Sequence, residues 1–308
     1  MGIFSKNYES AGSGIAKDAP KKEGVALFFD IFGRKIWNLM TLNLMYMSFF
    51  LPLILILPLI YACGEKYSDV SLILTVVLAI IFMILIGPAT AGMIKVIRCF
   101  VLGKHTFIWH DFWKGFKSNF KTAAIVGFID CILFLSALSA FAFYPQLYEE
   151  VQSKAVYIPM VITLSVFLVV LVMNFYIFPM MVATTLKTKN LFKNSFALAF
   201  VALKQNAITF LVIFLTIGVM TLLRMFATGV FLFLIPFFPA AFLCLVSCFN
   251  SYPVIQKYVI NPYYTSIGKI NPELIDDTDD ETERIFEDMG GKEKPIEKRP
   301  KGKGKRIS

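Results

Sequence analysis

Asp130 is the side chain best placed to do chemistry in this sequence. It lies nine residues past Lys121, roughly 13 Å into an apolar segment at 1.5 Å per helical residue. A lone carboxylate at that depth is costly, so it must pair or take up a proton. Lys95 and Arg98 close the preceding apolar segment, and Asn43 and Asn174 are further polar residues inside apolar runs. Two readings stand side by side. In one, Asp130 forms a structural lock with Lys95 or Arg98. In the other, it carries a proton or cation through a small transporter or channel.

Other chemistry finds little support. No phosphate-binding loop, nucleophile elbow, zinc-protease helix or dinucleotide fingerprint occurs. His105 and His110 are the only histidines, and their spacing of five misses the i, i+4 geometry of a paired ligand set. Cys244 and Cys248 stand one helical turn apart with no histidine beside them, so they read as small buried apolar residues. The expectation is a protein that is not an enzyme, with no catalytic residue, cofactor or metal.

The elements that position Asp130 are apolar helices. Of the 308 residues, 57% are hydrophobic and 17% charged, and 32 are Phe. A soluble domain carries about a quarter charged residues, so the composition points to a polytopic α-helical membrane protein. The net charge of +9 does not imply nucleic acid. Its basic residues flank apolar segments, and eleven of the thirty lie after Asn250. That is the pattern of positive-inside anchoring beside a lipid bilayer.

Six segments are each long enough to cross the bilayer, near 36–62, 70–97, 122–144, 156–184, 205–225 and 228–250. Lys and Arg crowd the stretch before the first, the 95–121 junction and the 187–204 junction, while the opposite connections hold only Lys66, Lys154 and Arg224. Both termini are then cytoplasmic. The organisation predicted is a cytosolic tail over 1–24, a transmembrane domain over 25–263 and a disordered charged tail over 264–308. Within that tail Glu273 to Asp288 hold nine acids and Lys292 to Arg306 hold eight bases.

Each basic junction carries an aromatic helical stripe. Val25, Phe28, Phe29, Phe32 and Ile36 form the first. Trp109, Phe112, Trp113 and Phe116 form the second, with Lys114 and Lys117 beside them, and Phe192, Phe196 and Phe200 belong to the third. Phe28, Phe112 and Phe196 are spaced 84 apart, which raises a threefold repeat of the unit. The fold class is therefore all-α: three transmembrane hairpins, each preceded by a cytoplasmic amphipathic helix. Such helices suit the interface, with rings in the acyl boundary and lysines at headgroups; packing of the rings on the end of the bundle is the other reading. Pro88, Pro179 and Pro239 are candidate kinks.

Several of these motifs resemble the YesL-like family of bacterial membrane proteins, found mainly in Gram-positive bacteria. The similar elements are Trp37 with Leu42-Asn43-Leu44, Leu51-Pro52, Gly87-Pro88-Ala89-Thr90-Ala91, Asp111-Phe112-Trp113, Phe116-Lys117 and Asn119-Phe120. Phe178-Pro179 and Leu191-Phe192-Lys193-Asn194-Ser195 continue the likeness, which spans roughly 25–265. The resemblance implies a plasma-membrane protein accessory to carbohydrate uptake or glycan utilisation, with a sugar permease as a partner. It implies no catalytic residues. The long N-terminal extension and charged C-terminal tail depart from the family pattern.

Overall fold

A computed structural model describes residues 22–63 and 68–273, and every regular element within them is helical. Helix α1 (Gly24–Met47) runs through a 3-10 turn at Ser48–Phe50 into α2 (Leu51–Cys63). Next come α3 (Ser68–Val101), α4 (Ile108–Ser118), α5 (Phe120–Val151) and α6 (Tyr157–Ala183). They are followed by α7 (Thr188–Val201), α8 (Leu203–Phe226), α9 (Thr228–Leu234) and α10 (Pro239–Ile255). A π-helical segment, Gln256–Ile260, leads into α11 (Asn261–Ser266). Among the described residues, six stretches are long and apolar enough to cross a membrane: Gly24–Cys63, Asp69–Val101, Phe120–Val151, Lys154–Ala183, Leu203–Phe226 and Pro239–Ser266.

The boundaries differ from expectation in three places. The stretch 25–36 is not a separate amphipathic helix, because α1 continues unbroken to Met47. Nothing in it stops a helix: no proline intervenes, and Gly33 stands alone in a helical run. The sixth span is not 228–250. The chain breaks after Leu234 and restarts at Pro239, which opens α10 instead of kinking it, as proline's fixed φ and missing N–H favour. Residues 264–273 are not free tail either: α11 reaches Ser266, and Asn271 is buried. Most of the expected tails, 1–21 and 274–308, lies outside the described residues. Pro88 and Pro179 sit inside α3 and α6 without ending them.

Burial concentrates at one end of the bundle, where α3 finishes with Lys95 and Arg98 and where α5 and α8 begin. At this basic end the core holds Ala89, Ala91, Met93, Val96, Ile97 and Phe100 of α3. Tyr176, Ile177 and Met180 of α6 join them, with Leu245, Cys248, Tyr252 and Ile255 of α10. Helices α2 and α9 bury no residue. Apolar side chains far from the basic end stand outward, Leu57, Phe214 and Phe226 among them.

Hydrophobicity cannot sort these faces, since acyl chains are as apolar as leucine; in lipid, close packing of small residues decides which helices meet. Here that choice falls on glycine. A side chain at Gly87 of α3 would run into the carbonyl oxygen of Ala123 in α5, and one at Gly127 would come within 2.6 Å of the Gly87 nitrogen. One turn on, a Cβ at Gly92 would lie 2.8 Å from the Phe112 carbonyl oxygen, and one at Gly115 would lie 3.0 Å from the Gly92 Cα. Thus Gly87 seats α5 and Gly92 seats α4 on the same helix.

Candidate functional site

The close seat of α5 on α3 places Asp130. From Gly127, opposite Gly87, α5 runs on toward the far end while α3 runs to the basic end. Arg98 is then eleven residues, or about 16 Å, beyond Gly87 in the other direction. Asp130 consequently does not lock onto Lys95 or Arg98. Its Oδ1 accepts a hydrogen bond of 2.8 Å from Asn174 Nδ2 on α6, while the Asn174 Oδ1 is buried without a partner. A second polar pair, Tyr46 OH and Thr90 Oγ1 at 3.2 Å, joins α1 to α3. Lys95 lies where α3 crosses Gly115 of α4.

Asn43 is fully buried and serves the chain break before α10. Its Nδ2 donates to the carbonyls of Ile235 at 3.2 Å and Pro236 at 2.7 Å, and its Oδ1 accepts from the Ala241 N–H at 2.8 Å. An interrupted helix leaves carbonyls on one side and N–H groups on the other. One carboxamide on α1 answers both, which an apolar surrounding requires. Tyr176 donates to Asn206 at 2.6 Å, and Asn206 donates to the Ala199 carbonyl at 2.8 Å, tying α6 to the α7–α8 junction.

Helix α4 lies against α3 with Phe112, Gly115 and Phe116 buried. Phe49 stacks on Phe116 at 5.3 Å between centroids. Trp113 is half-buried, Lys114 and Lys117 are exposed, and Trp109, a member of the same stripe, is 66% exposed. The closeness of Gly92 and Gly115 turns one narrow face of α4 inward, and Trp109 falls at its edge. Asp111 accepts from Thr106 Oγ1 at 2.6 Å and from the Phe107 N–H at 3.0 Å, so it caps the start of the helix. In α7 the inner face is Leu191, Ser195, Leu198 and Ala199, while Phe196 and Phe200 point outward. In α1 the stripe divides: Phe28 meets Phe249 at 5.4 Å and Phe32 meets Phe242 at 5.6 Å, while Val25 and Phe29 are exposed.

The densest polar cluster stands at the basic end, and only Arg98 of its members was singled out from sequence. Arg98 Nη2 pairs with Glu273 Oε1, both side chains largely buried. Arg98 Nε donates to Tyr252 OH at 2.7 Å, and its guanidinium lies 5.2 Å from the Tyr252 ring centre. Tyr252 OH donates to Glu273 Oε2 at 2.7 Å, and Gln256 Nε2 donates to the same oxygen at 3.1 Å. Burial works to raise the Glu273 carboxyl; the hydrogen bond from Tyr252, the charge of Arg98 and the bond from Gln256 outweigh it and hold the group below its ordinary value. Asn271 supports the turn, accepting from the Glu273 N–H at 3.0 Å and donating to Asn261 Oδ1 at 2.9 Å. The i, i+4 spacing of Tyr252 and Gln256 at the end of the last span was the one available signal for this site. Among the described residues, no three His, Cys, Asp or Glu side chains converge as a metal-holding group.

A family model does match part of this frame. It is described as a protein of unknown function, DUF624, and it covers residues 39–140. The DUF624 match takes in Asn43, the Gly87–Gly127 and Gly92–Gly115 seats and Asp130; it stops short of Asn174, Tyr252 and Glu273. No curated protein and no solved structure matches the chain.

Proposed function

We propose that this chain is a YesL-like multi-pass protein of the bacterial plasma membrane that assists carbohydrate uptake or glycan utilisation by binding a permease, and that it does so without catalysis. The observation that carries the reading is the DUF624 match over 39–140, the family to which YesL-like proteins belong, coinciding with the glycine-seated α3–α4–α5 unit. The outward apolar faces of α2, α8 and α9 support it, since they offer area to a neighbouring membrane protein as readily as to lipid. In this reading both termini and the basic end face the cytoplasm, the six spans pair as hairpins, and Lys114 and Lys117 of α4 meet the headgroups. Detergent extraction and affinity capture of the tagged protein, with growth of a deletion strain on a panel of sugars, tests it. Co-recovery of a permease and a sugar-specific growth defect are expected; repeated recovery of the protein alone together with unchanged growth would overturn it.

One observation favours a second reading, a small transporter or channel. Asp130 and Asn174 form a polar pair between two spans with one amide oxygen left unpaired, and polar groups at such depth mark pathways. Flux in proteoliposomes that Asp130→Asn abolishes would favour it; flux unaltered by the substitution would remove it.

A further inference from the structure

Three donors from two spans converge on one carboxylate at the basic end. Arg98 comes from α3, Tyr252 from α10 and Gln256 from the π-helical segment that follows it. A π-segment shifts the register of a helix by one residue and recurs at functional sites; here Gln256 opens it and aims at the same Glu273 oxygen as Tyr252. The carboxylate that fills this arrangement belongs to the chain itself. It arrives on the segment 267–273, which leaves α11 through Gly268 at a φ of +66° and turns back on Asn271. Beside it lies a cavity of about 390 Å³ lined in part by Thr184, Thr185, Tyr263, Tyr264, Pro272 and Glu273.

We propose that Arg98, Tyr252 and Gln256 form a carboxylate-binding site that Glu273 occupies as an intramolecular latch. The latch ties the segment after α11 to α3 and closes one wall of the cavity between α6 and α11. Both oxygens of the carboxylate are engaged, one by the guanidinium and the other by a hydroxyl and an amide, which is recognition of a planar anion and not a diffuse charge contact. Because the ligand is tethered, it acts at a high effective concentration, so a free carboxylate competes poorly until Glu273 is removed. The site then accepts small carboxylates or an acidic side chain presented by a partner.

The test uses the full chain in detergent micelles. Amide hydrogen exchange is followed at Gly268, Lys269 and Glu273, whose N–H groups donate to Thr265, Tyr264 and Asn271. Glu273→Ala is expected to speed exchange at Gly268 and Lys269 roughly tenfold, the scale of losing a hydrogen-bonded charged partner, while amides in α5 and α6 keep their wild-type rates. Acetate, compared with chloride at equal ionic strength, is expected to raise the melting temperature of Glu273→Ala and to leave the wild type unmoved. Tyr252→Phe, which keeps the ring and loses one donor, should shift exchange in the same direction by less. Wild-type exchange rates in Glu273→Ala would overturn the latch. Equal effects of acetate and chloride on that variant would overturn the binding site.

Discussion

Single polar side chains in this molecule work where backbone or charge would otherwise go unanswered. Asn43 is the clearest case, with three hydrogen bonds at the break before α10. Asn43→Leu keeps the branched outline and removes all three, so it should destabilise the fold by at least roughly 2–3 kcal/mol, the cost of leaving buried backbone groups unpaired; unfolding titrations in micelles measure it. Glu273 carries a pH dependence. Its carboxyl is held below the ordinary value, so the stabilisation from its ionised form is complete above the unfolded value of about 4.3. It is lost as the pH falls through the lower folded value. Arg98, Tyr252 and Gln256, the groups that face it, do not change charge in that window. Relative to its intrinsic rate at each pH, exchange at Lys269 should therefore rise in the wild type as the pH falls through that lowered value. In Glu273→Gln it should start high and show no such step.

At the scale of elements, glycine decides which helices touch. Gly87 and Gly127 allow α3 and α5 to meet backbone to backbone, and any side chain there collides with main chain that cannot give way. Gly87→Leu and Gly127→Leu should each abolish recovery of folded protein after extraction. Gly218 in α8 faces open space, so Gly218→Ala should be neutral or stabilise by up to about 1 kcal/mol through helix propensity. Monodispersity and melting temperature separate the two classes. Helix α4 makes a second contrast. Phe112 is fully buried beneath it and Trp109 lies mostly outside. Phe112→Ala should cost about 3–5 kcal/mol as a core truncation, whereas Trp109→Ser should leave the melting temperature nearly unchanged in micelles.

At the scale of the whole molecule, packing is uneven. The basic end holds the buried residues and polar clusters, and the far end shows apolar side chains on most faces. A helix with little inward burial has few contacts to set its tilt, so α2 and α9 should exchange faster than α3 and α10 in the same sample. Orientation follows from charge. If the basic end is cytoplasmic, a fluorescent protein fused after Ser308 should mature and glow. A periplasm-active phosphatase fused after Gln152, in the short connection between α5 and α6, should be active. The reverse pattern would mean that the orientation read from lysine and arginine is inverted.

Class of fold and number of spans were legible because length and apolarity are local properties. A run of apolar residues reports a membrane-length helix whatever surrounds it, and six such stretches stand in the structure. The amphipathic stripes were legible only as patterns. Phe28 and Phe112 turn inward, whereas Trp109 and Phe196 do not. In apolar surroundings the inward face is chosen by backbone approach and not by hydrophobicity. Pairing was not legible at all. Asp130 meets Asn174, 44 positions away, and Arg98 meets Glu273, 175 positions away. Composition alone placed Glu273 with an acidic tail, because Asp and Glu crowd the residues that follow it. Only the approach of α3 to α10, and the turn after Gly268, brings its carboxylate to Arg98, Tyr252 and Gln256.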